Sequence, residues 1–391
     1  MNKGKTLLWV FWGGIALLGI LGFFYWLIFW KYRAYTDDAY VHGNQVMLTP
    51  LRSGFVKSIL TDDTFLVEKG QLLVQLDETD SKIALQKAKE NLADVVREVC
   101  QNFHEVFALK AEVESKKALF IKAAQDYEHR VAVLDERGVS LEDFEHAEAA
   151  LRSSFFLLQM AETMFEKSYS IVQNTTILSH PKVLLAATET RQAWVHLYRC
   201  NIYSPVRGLA AQRTIQVGMW VPEGTPLMAV IPLNQIWVNA NFKETQMALM
   251  KIGQPVKVTV DMYGDGVIFN GKIVGLPGGA GNAFSILPPQ NLSGNWIKIV
   301  QRLPVRVEIP EEQLLEHPLR IGLTSKATVN LKVPGSRVPT TTEGSPSYLT
   351  DIYENEESGD LSWIDEIIEN NLDPSLNQFA NTPLHIKVTD E

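Results

Sequence analysis

Few groupings in this chain have the residue types for chemistry. Three acidic pairs, Asp37-Asp38, Asp62-Asp63 and Asp77-Glu78, are of the kind used as general acid and base. Each falls in a stretch that reads as a turn or a helix start, where carboxylates are ordinary partners of the backbone. Gly278-Gly279-Ala280-Gly281 has the glycine content of a phosphate-cradling loop. No Lys or helix start follows it, so it reads as a loop between strands. The eight histidines are scattered, and no pair has the spacing of a helical zinc motif. Cys100 and Cys200 are too few for a disulfide framework. Asn174-Thr175-Thr176 and Asn291-Leu292-Ser293 match a glycan acceptor, a pattern frequent by chance. The residues thus offer no catalytic, cofactor-binding or metal site, and the expected class is a protein that is not an enzyme.

The strongest pattern is mechanical. An apolar residue recurs at every seventh position through Leu85, Leu92, Val99, Val106, Val113, Phe120, Tyr127 and Leu134. Such a seam marks a long helix that supercoils against a partner. A second series, Phe144, Leu151, Leu158, Phe165 and Val172, follows Arg137-Gly138-Val139-Ser140. That short stretch holds a helix-stopping Gly and, in Ser140, an N-cap residue followed by the acidic Glu142 and Asp143. Residues 79–199 therefore read as an antiparallel coiled-coil hairpin with its tip near 137–140. The first arm would be about 85 Å long. In the return arm Pro181 follows Asn174-Thr175-Thr176, and the seam resumes at Val183, Ala187, Thr190, Trp194 and Leu197. Val172 to Val183 is a heptad plus four, a stutter, where a local unwinding or kink is expected. Cys200 would lie at the base and Cys100 about 30 Å along the first arm, too far apart to pair.

The rest of the chain must hold this hairpin. Leu7–Phe29 carries no charge and is long enough for a transmembrane helix. Trp9, Trp12, Tyr25, Trp26 and Trp30 cluster towards its ends. The run is too long for a signal-peptide core and lacks a small-residue cleavage site. Residues 1–6 are then cytoplasmic and 7–29 span the membrane. Short strands fill 36–49 and 50–78. Pro50-Leu51-Arg52-Ser53-Gly54 and Val67-Glu68-Lys69-Gly70 are echoed after the hairpin by Pro205-Val206-Arg207-Gly208 and Val221-Pro222-Glu223-Gly224. A repeat split by an insertion implies that its halves, 50–78 and 200–233, pack together. Gly54 and Gly208 stand at strand starts, and Gly70 and Gly224 stand before the next strand. Residues 234–332 alternate as a small barrel or sandwich does, with the stretch Val267–Val274 broken by Gly271.

Val333–Glu391 holds twelve acidic and two basic residues, so the net charge of −9 lies almost entirely there. The body, near neutrality, has no electrostatic case for nucleic acid. The composition of 333–391 predicts a disordered acidic tail, dispensable for the body's task. One island, Leu361–Leu372, places Leu361, Ile364, Ile368 and Leu372 on one helical face. The expected fold class is α+β and multidomain.

This order of parts, with Thr36–Val41, Asn241–Gln246, Ile252–Val256, Ala283–Pro288, Gly294–Lys298 and Gln301–Arg306, resembles the periplasmic adaptor, or membrane fusion, proteins of the HlyD family, and most closely their EmrA-type branch. The resemblance covers about Leu7 to Leu331; the acidic tail has no counterpart in it. It implies a split lipoyl-like domain, an inserted α-hairpin and a β-barrel. It implies a single-pass anchor in the inner membrane of a Gram-negative bacterium, with the N-terminus cytoplasmic and the bulk of the chain periplasmic. The implied partners are an inner-membrane transporter of the major-facilitator proton-antiporter type, a TolC-like outer-membrane channel and further copies of the chain in a ring. The implied function is that of an adaptor in tripartite efflux of drugs or other amphiphilic compounds, without a cofactor.

The alternative is an adaptor of an ABC-driven type I secretion system. A membrane-anchored coiled-coil scaffold explains the helices but not the split repeat. In related adaptors the hairpin tip carries an Arg, a Leu four residues on and a Ser about eleven on, and these meet the channel. Arg130 and Leu134 match, whereas Ser140 is ten on; Arg137, Gly138 and Val139 complete the expected contact. A true lipoyl carrier presents a modified Lys on the turn between its halves. Here Asp77-Glu78-Thr79 and the insertion occupy that turn, and Lys82 falls inside the first helix.

Overall fold

The computed structural model describes residues 3–25, 31–134, 138–280, 300–338, 347–354, 356 and 361–386. The chain divides into two compact units. One comprises residues 1–50, 56–75 and 202–352; the other comprises 51–55, 76–201 and 353–391.

In the first unit, helix α1 spans Lys3–Tyr25 and holds no charge after Lys5. Among the described residues, no helix is long and apolar enough to cross a membrane. The uncharged run starts inside α1, and its end, with Trp26 and Trp30, lies outside the described residues. Before the hairpin run β1 (Arg33–Gly43), β2 (Val46–Leu48), β3 (Gly54–Ile59), β4 (Leu66–Val67) and β5 (Leu72–Leu76). After it come β6 (Asn201–Tyr203), β7 (Gly208–Ala211), β8 (Trp220–Val221), β9 (Met228–Ile231), β10 (Ile236–Lys243), β11 (Pro255–Val260), β12 (Phe269–Gly275), β13 (Arg302–Glu308) and β14 (Thr324–Asn330).

Six strands close a barrel in the order β1-β10-β13-β12-β11-β14. Closure leaves no unpaired edge. Strict alternation drives it: Ile236, Val238, Ala240 and Phe242 of β10 all point inward. On neighbouring strands Val41 pairs in register with Val238, Val258 with Ala327 and Ile273 with Val307, all buried in the core. β1 sits between β10 and β14, so strands from opposite ends of the chain complete the barrel. Gly271 does not break its strand, contrary to expectation. A Cβ there would lie 2.6 Å from the Glu308 carbonyl oxygen, so glycine allows β12 and β13 to approach closely.

The remaining strands form two four-stranded sheets, β2-β9-β7-β4 and β6-β5-β3-β8. Each takes two strands from before the hairpin and two from after it. The paired registers are Leu66 with Leu209 and Met47 with Ala229. Gly70 and Gly224 both take positive φ, 79° and 76°, so the two copies make equivalent left-handed turns. Gly208 is needed for space instead: a Cβ would stand 2.5 Å from the Ile231 carbonyl oxygen. Gly54 is under no such pressure, its nearest contact being Leu76 at 3.6 Å.

The second unit is built on α2 (Thr79–Leu134), α3 (Leu141–Val172) and α4 (Pro181–Tyr198). α2 has 56 residues, about 84 Å of helix. Its heptad residues Leu92, Val99 and Val106 are fully buried and share one core with Phe165, Val172 and Val183. Farther out the seam turns aromatic, with Phe120 against Phe155 at 6.0 Å and Tyr127 against Phe144 at 5.5 Å between ring centroids. Thr190 is buried in the seam, its hydroxyl reaching the carbonyls of Ala186 and, on α2, Ala88. Both cysteines are free.

The stutter is a full interruption rather than a kink. α3 ends at Val172, and Asn174 turns back at φ 57°. The chain restarts at Pro181, whose missing N–H costs nothing in a first helical turn. The imidazole of His180 caps α4: its Nδ1 accepts from the Lys182 N–H at 3.2 Å, and its Nε2 lies 3.2 Å from the Ile171 carbonyl oxygen. The cap fixes the tautomer with hydrogen on Nε2.

The expectation of a disordered tail is corrected over much of its length. Residues 333–338 lie along the barrel, where the Ile252 N–H donates to the Ser336 carbonyl and Arg337 donates to the Ala248 carbonyl. Farther on, α6 (Ser362–Asn370) and the turn Pro374–Phe379 belong to the hairpin unit, with Ile364, Ile368, Leu376 and Leu384 in its core. Between β13 and β14 lies the short helix α5 (Glu311–Glu316). The average composition of the tail is polar, but its few apolar residues are spaced to reach one shared apolar seat.

Two outcomes test these local arguments. Gly208→Ala should cost about 1–3 kcal/mol of stability through overpacking, while Gly54→Ala should be tolerated; thermal melts of the two variants compare them. Burial pushes the His180 imidazole below its ordinary pKa, with the Ile171 carbonyl opposing. The unfolded chain then binds the proton more tightly. The cap's contribution is full above about pH 6.5 and is lost as pH falls through the lower folded value. Melting at about pH 7.5 and 5.5 should show a loss on acidification that His180→Asn, a cap that does not titrate, reduces. An equal loss in that variant would count against the assignment.

Candidate docking tip of the hairpin

The expected contact residues fall at the turn that joins α2 to α3. Leu134 is the last residue of α2, and Arg137 lies outside the described residues. The Gly138 N–H donates to the Val133 carbonyl at 3.1 Å, satisfying an end group of α2. Ser140 is the N-cap of α3: its Oγ accepts from the Asp143 N–H at 3.1 Å and donates to the Asp143 carboxylate at 2.6 Å. Gly138 and Ser140 are exposed and Val139 is half-buried. Arg130 spans the two arms. Its guanidinium donates to the Asp143 carbonyl at 2.7 Å and pairs with Asp126 at 3.2 Å. The structure thus brings Arg130, Gly138 and Ser140 to the same end of the hairpin, with Tyr127 and Phe144 packed on each other nearby. What it offers a partner is a narrow end with a small residue, an apolar residue and a hydroxyl.

Sequence reading missed the cross-arm partner of Arg130, because a backbone carbonyl leaves no residue signature. It also missed His180 as a cap, although His followed by Pro at a helix start is a visible hint.

Each acidic pair has at least one member committed to structure. Asp38 accepts from Asn241 at 3.1 Å and pairs with Arg302 at 3.0 Å beside the bulge of β1. Arg213 holds Asp62 at 2.8 Å and keeps its carboxyl below the usual range, while Asp63 accepts from the Arg213 N–H. Asp77 caps the start of α2 through the N–H and hydroxyl of Thr79. Glu78 pairs with Lys82 at 2.8 Å and raises that ammonium's pKa. An open cleft of about 530 Å³ is lined by Leu60, Phe65, Leu66, Arg213 and Val217. Its one guanidinium already serves Asp62 and the Ile215 carbonyl.

Residues 79–200 match the family model described as EMRA, alpha-helical hairpin domain. Multidrug export protein EmrA of Escherichia coli strain K12 is 44% identical over 306 residues, 78% of this chain and 78% of its own length. Multidrug export protein EmrA of Haemophilus influenzae is 38% identical over 358 residues, 91% of this chain and 92% of its own. Fatty acid resistance protein FarA of Neisseria gonorrhoeae is 38% identical over 309 residues, 78% of each chain. With relatives of this identity along most of its length, and with its long hairpin and six-stranded barrel, the chain belongs to the EmrA-type periplasmic adaptor, or membrane fusion, proteins of the HlyD family.

Proposed function

We propose that this chain is the periplasmic adaptor of a tripartite efflux assembly that exports drugs or other amphiphilic compounds. The observation that carries the reading is the hairpin: two long arms packed on a shared apolar core, with Ser140 capping α3 at the far end. Such an element spans distance and presents a shaped end. The names of the relatives, multidrug export and fatty acid resistance, support amphiphilic cargo.

In this reading α1 is the inner-membrane anchor, with its N-terminus in the cytoplasm and the remainder in the periplasm. Trp9, Phe11, Trp12, Leu17 and Leu18 are all exposed on it, which suits a lipid surround. The adaptor meets an inner-membrane transporter of the major-facilitator type, assembles with further copies in a ring and carries out no reaction of its own. The tip, Arg130, Leu134, Arg137, Gly138, Val139 and Ser140, engages a TolC-like outer-membrane channel. Arg130 acts there by holding the turn in shape, and Gly138 and Val139 allow close approach of the channel's own helical ends.

Co-purification of the full chain from membranes tests this. Gly138→Asp and Val139→Asp should each weaken capture of the channel tenfold or more, about 1.4 kcal/mol, and should leave the transporter bound. Lys110→Glu, exposed in mid-arm, should leave both. Undiminished channel capture by both tip variants would refute the tip assignment.

A further inference from the structure

The carboxy-terminal segment plays no part in the adaptor reading, yet it is built into the hairpin at its weakest point. Where α3 stops and α4 has not begun, the N–H groups of Ile177 and Leu178 have no helical acceptor. Buried amides need one. The segment supplies it: the Phe379 and Ala380 carbonyls accept from Ile177 and Leu178 at 3.1 and 3.4 Å. The Phe379 ring packs on Phe107 and Phe103 of α2, at 5.5 and 6.1 Å between centroids. On α3, the Tyr169 hydroxyl donates to the Leu384 carbonyl and accepts from the Ile386 N–H. One short stretch therefore grips the first arm, the end of α3 and the break itself.

The grip is polar at its rim. Arg97 donates to Asn371 at 2.7 Å, His104 pairs with Asp373 at 2.9 Å, Lys89 sits 4.5 Å over the Trp363 ring and Arg199 pairs with Glu356 at 2.7 Å. In every case the hairpin gives the basic side chain. α6 has only nine residues, too few to persist alone in water. Its order therefore depends on the seat.

We propose that Leu361–Ile386 is a strap in cis that fixes α4 against α3 across the interruption, so that its docking sets the rigidity of the hairpin. The measurement is independent of the adaptor reading. Hydrogen exchange is followed on the full chain in detergent and on two variants, one ending at Ile352 and one carrying Phe379→Ala. The informative amides are Thr175, His180 and Leu184, whose acceptors, Val172, Ile177 and His180, all lie within the hairpin. A strap predicts exchange about tenfold faster or more at these three, with the distal pairs around Phe120 and Phe155 unchanged. Should the shortened chain fail to fold, Phe379→Ala decides alone. Loss of protection confined to Ile177 and Leu178 would show a segment that only covers the break, and would overturn the proposal.

Discussion

A helix of 56 residues in water has little to hold it straight except its own return arm. Everything in the hairpin unit follows from that constraint. Most of a protein helix's stability comes from packing of its apolar face rather than from propensity, so the arm is held where one apolar stripe meets another. The heptad spacing of α2 keeps that stripe on one side for the whole length, at the cost of supercoiling. Its composition then grades with position. Leu92, Val99 and Val106 are fully covered, because α3, the segment after the break and the carboxy-terminal residues all crowd that level. Towards the tip only two helices remain, and the seam side chains Phe120, Tyr127 and Phe144 are only half-buried there. The aromatic pairs there, Phe120 with Phe155 and Tyr127 with Phe144, meet the difficulty by offering large faces that stay partly wet.

The same constraint explains why the interruption lies where it does. A gap between α3 and α4 frees backbone groups, and freed groups near the tip would have no third element to receive them. At Gln173–His180 they do. Asn174 turns the chain, the Ser179 hydroxyl accepts from the Thr176 N–H, and His180 restarts the helix from within a buried setting. The interruption also removes the need for a single return helix to stay in register with α2 over the stutter.

Periodicity was legible from sequence and composition misled. The hairpin, its turn at Gly138 and the cap at Ser140 follow from spacing and from side-chain chemistry that acts within four residues. The barrel and the split sheets follow from alternation and from the recurrence of Val-x-x-Gly. Gly271 misled because one glycine spells both a strand end and a close strand approach, and only the Glu308 carbonyl opposite distinguishes them. The tail misled because twelve acidic residues dominate its average. Its four buried anchors, Ile364, Ile368, Leu376 and Leu384, are spread over 21 positions and become a pattern only once their seat is known. The stretches Ala283–Pro288 and Gly294–Lys298, which carried much of the family resemblance, lie outside the described residues.

Insertion of the hairpin between two half-motifs has a physical logic of its own. Each four-stranded sheet takes two strands from each half, so neither half can complete its hydrogen bonding without the other. The chain leaves at the end of β5 and returns at β6, neighbours in one sheet, and the Leu76 N–H donates to the Cys200 carbonyl at 2.8 Å where the two arms begin and end. Closing so long a loop costs entropy that grows only slowly with its length. The hairpin repays that cost locally, because its ends are brought together by the seam itself. An arm whose two ends are already adjacent can thus be inserted into a small β domain without unpicking it, and its length is free to vary with the distance to be spanned.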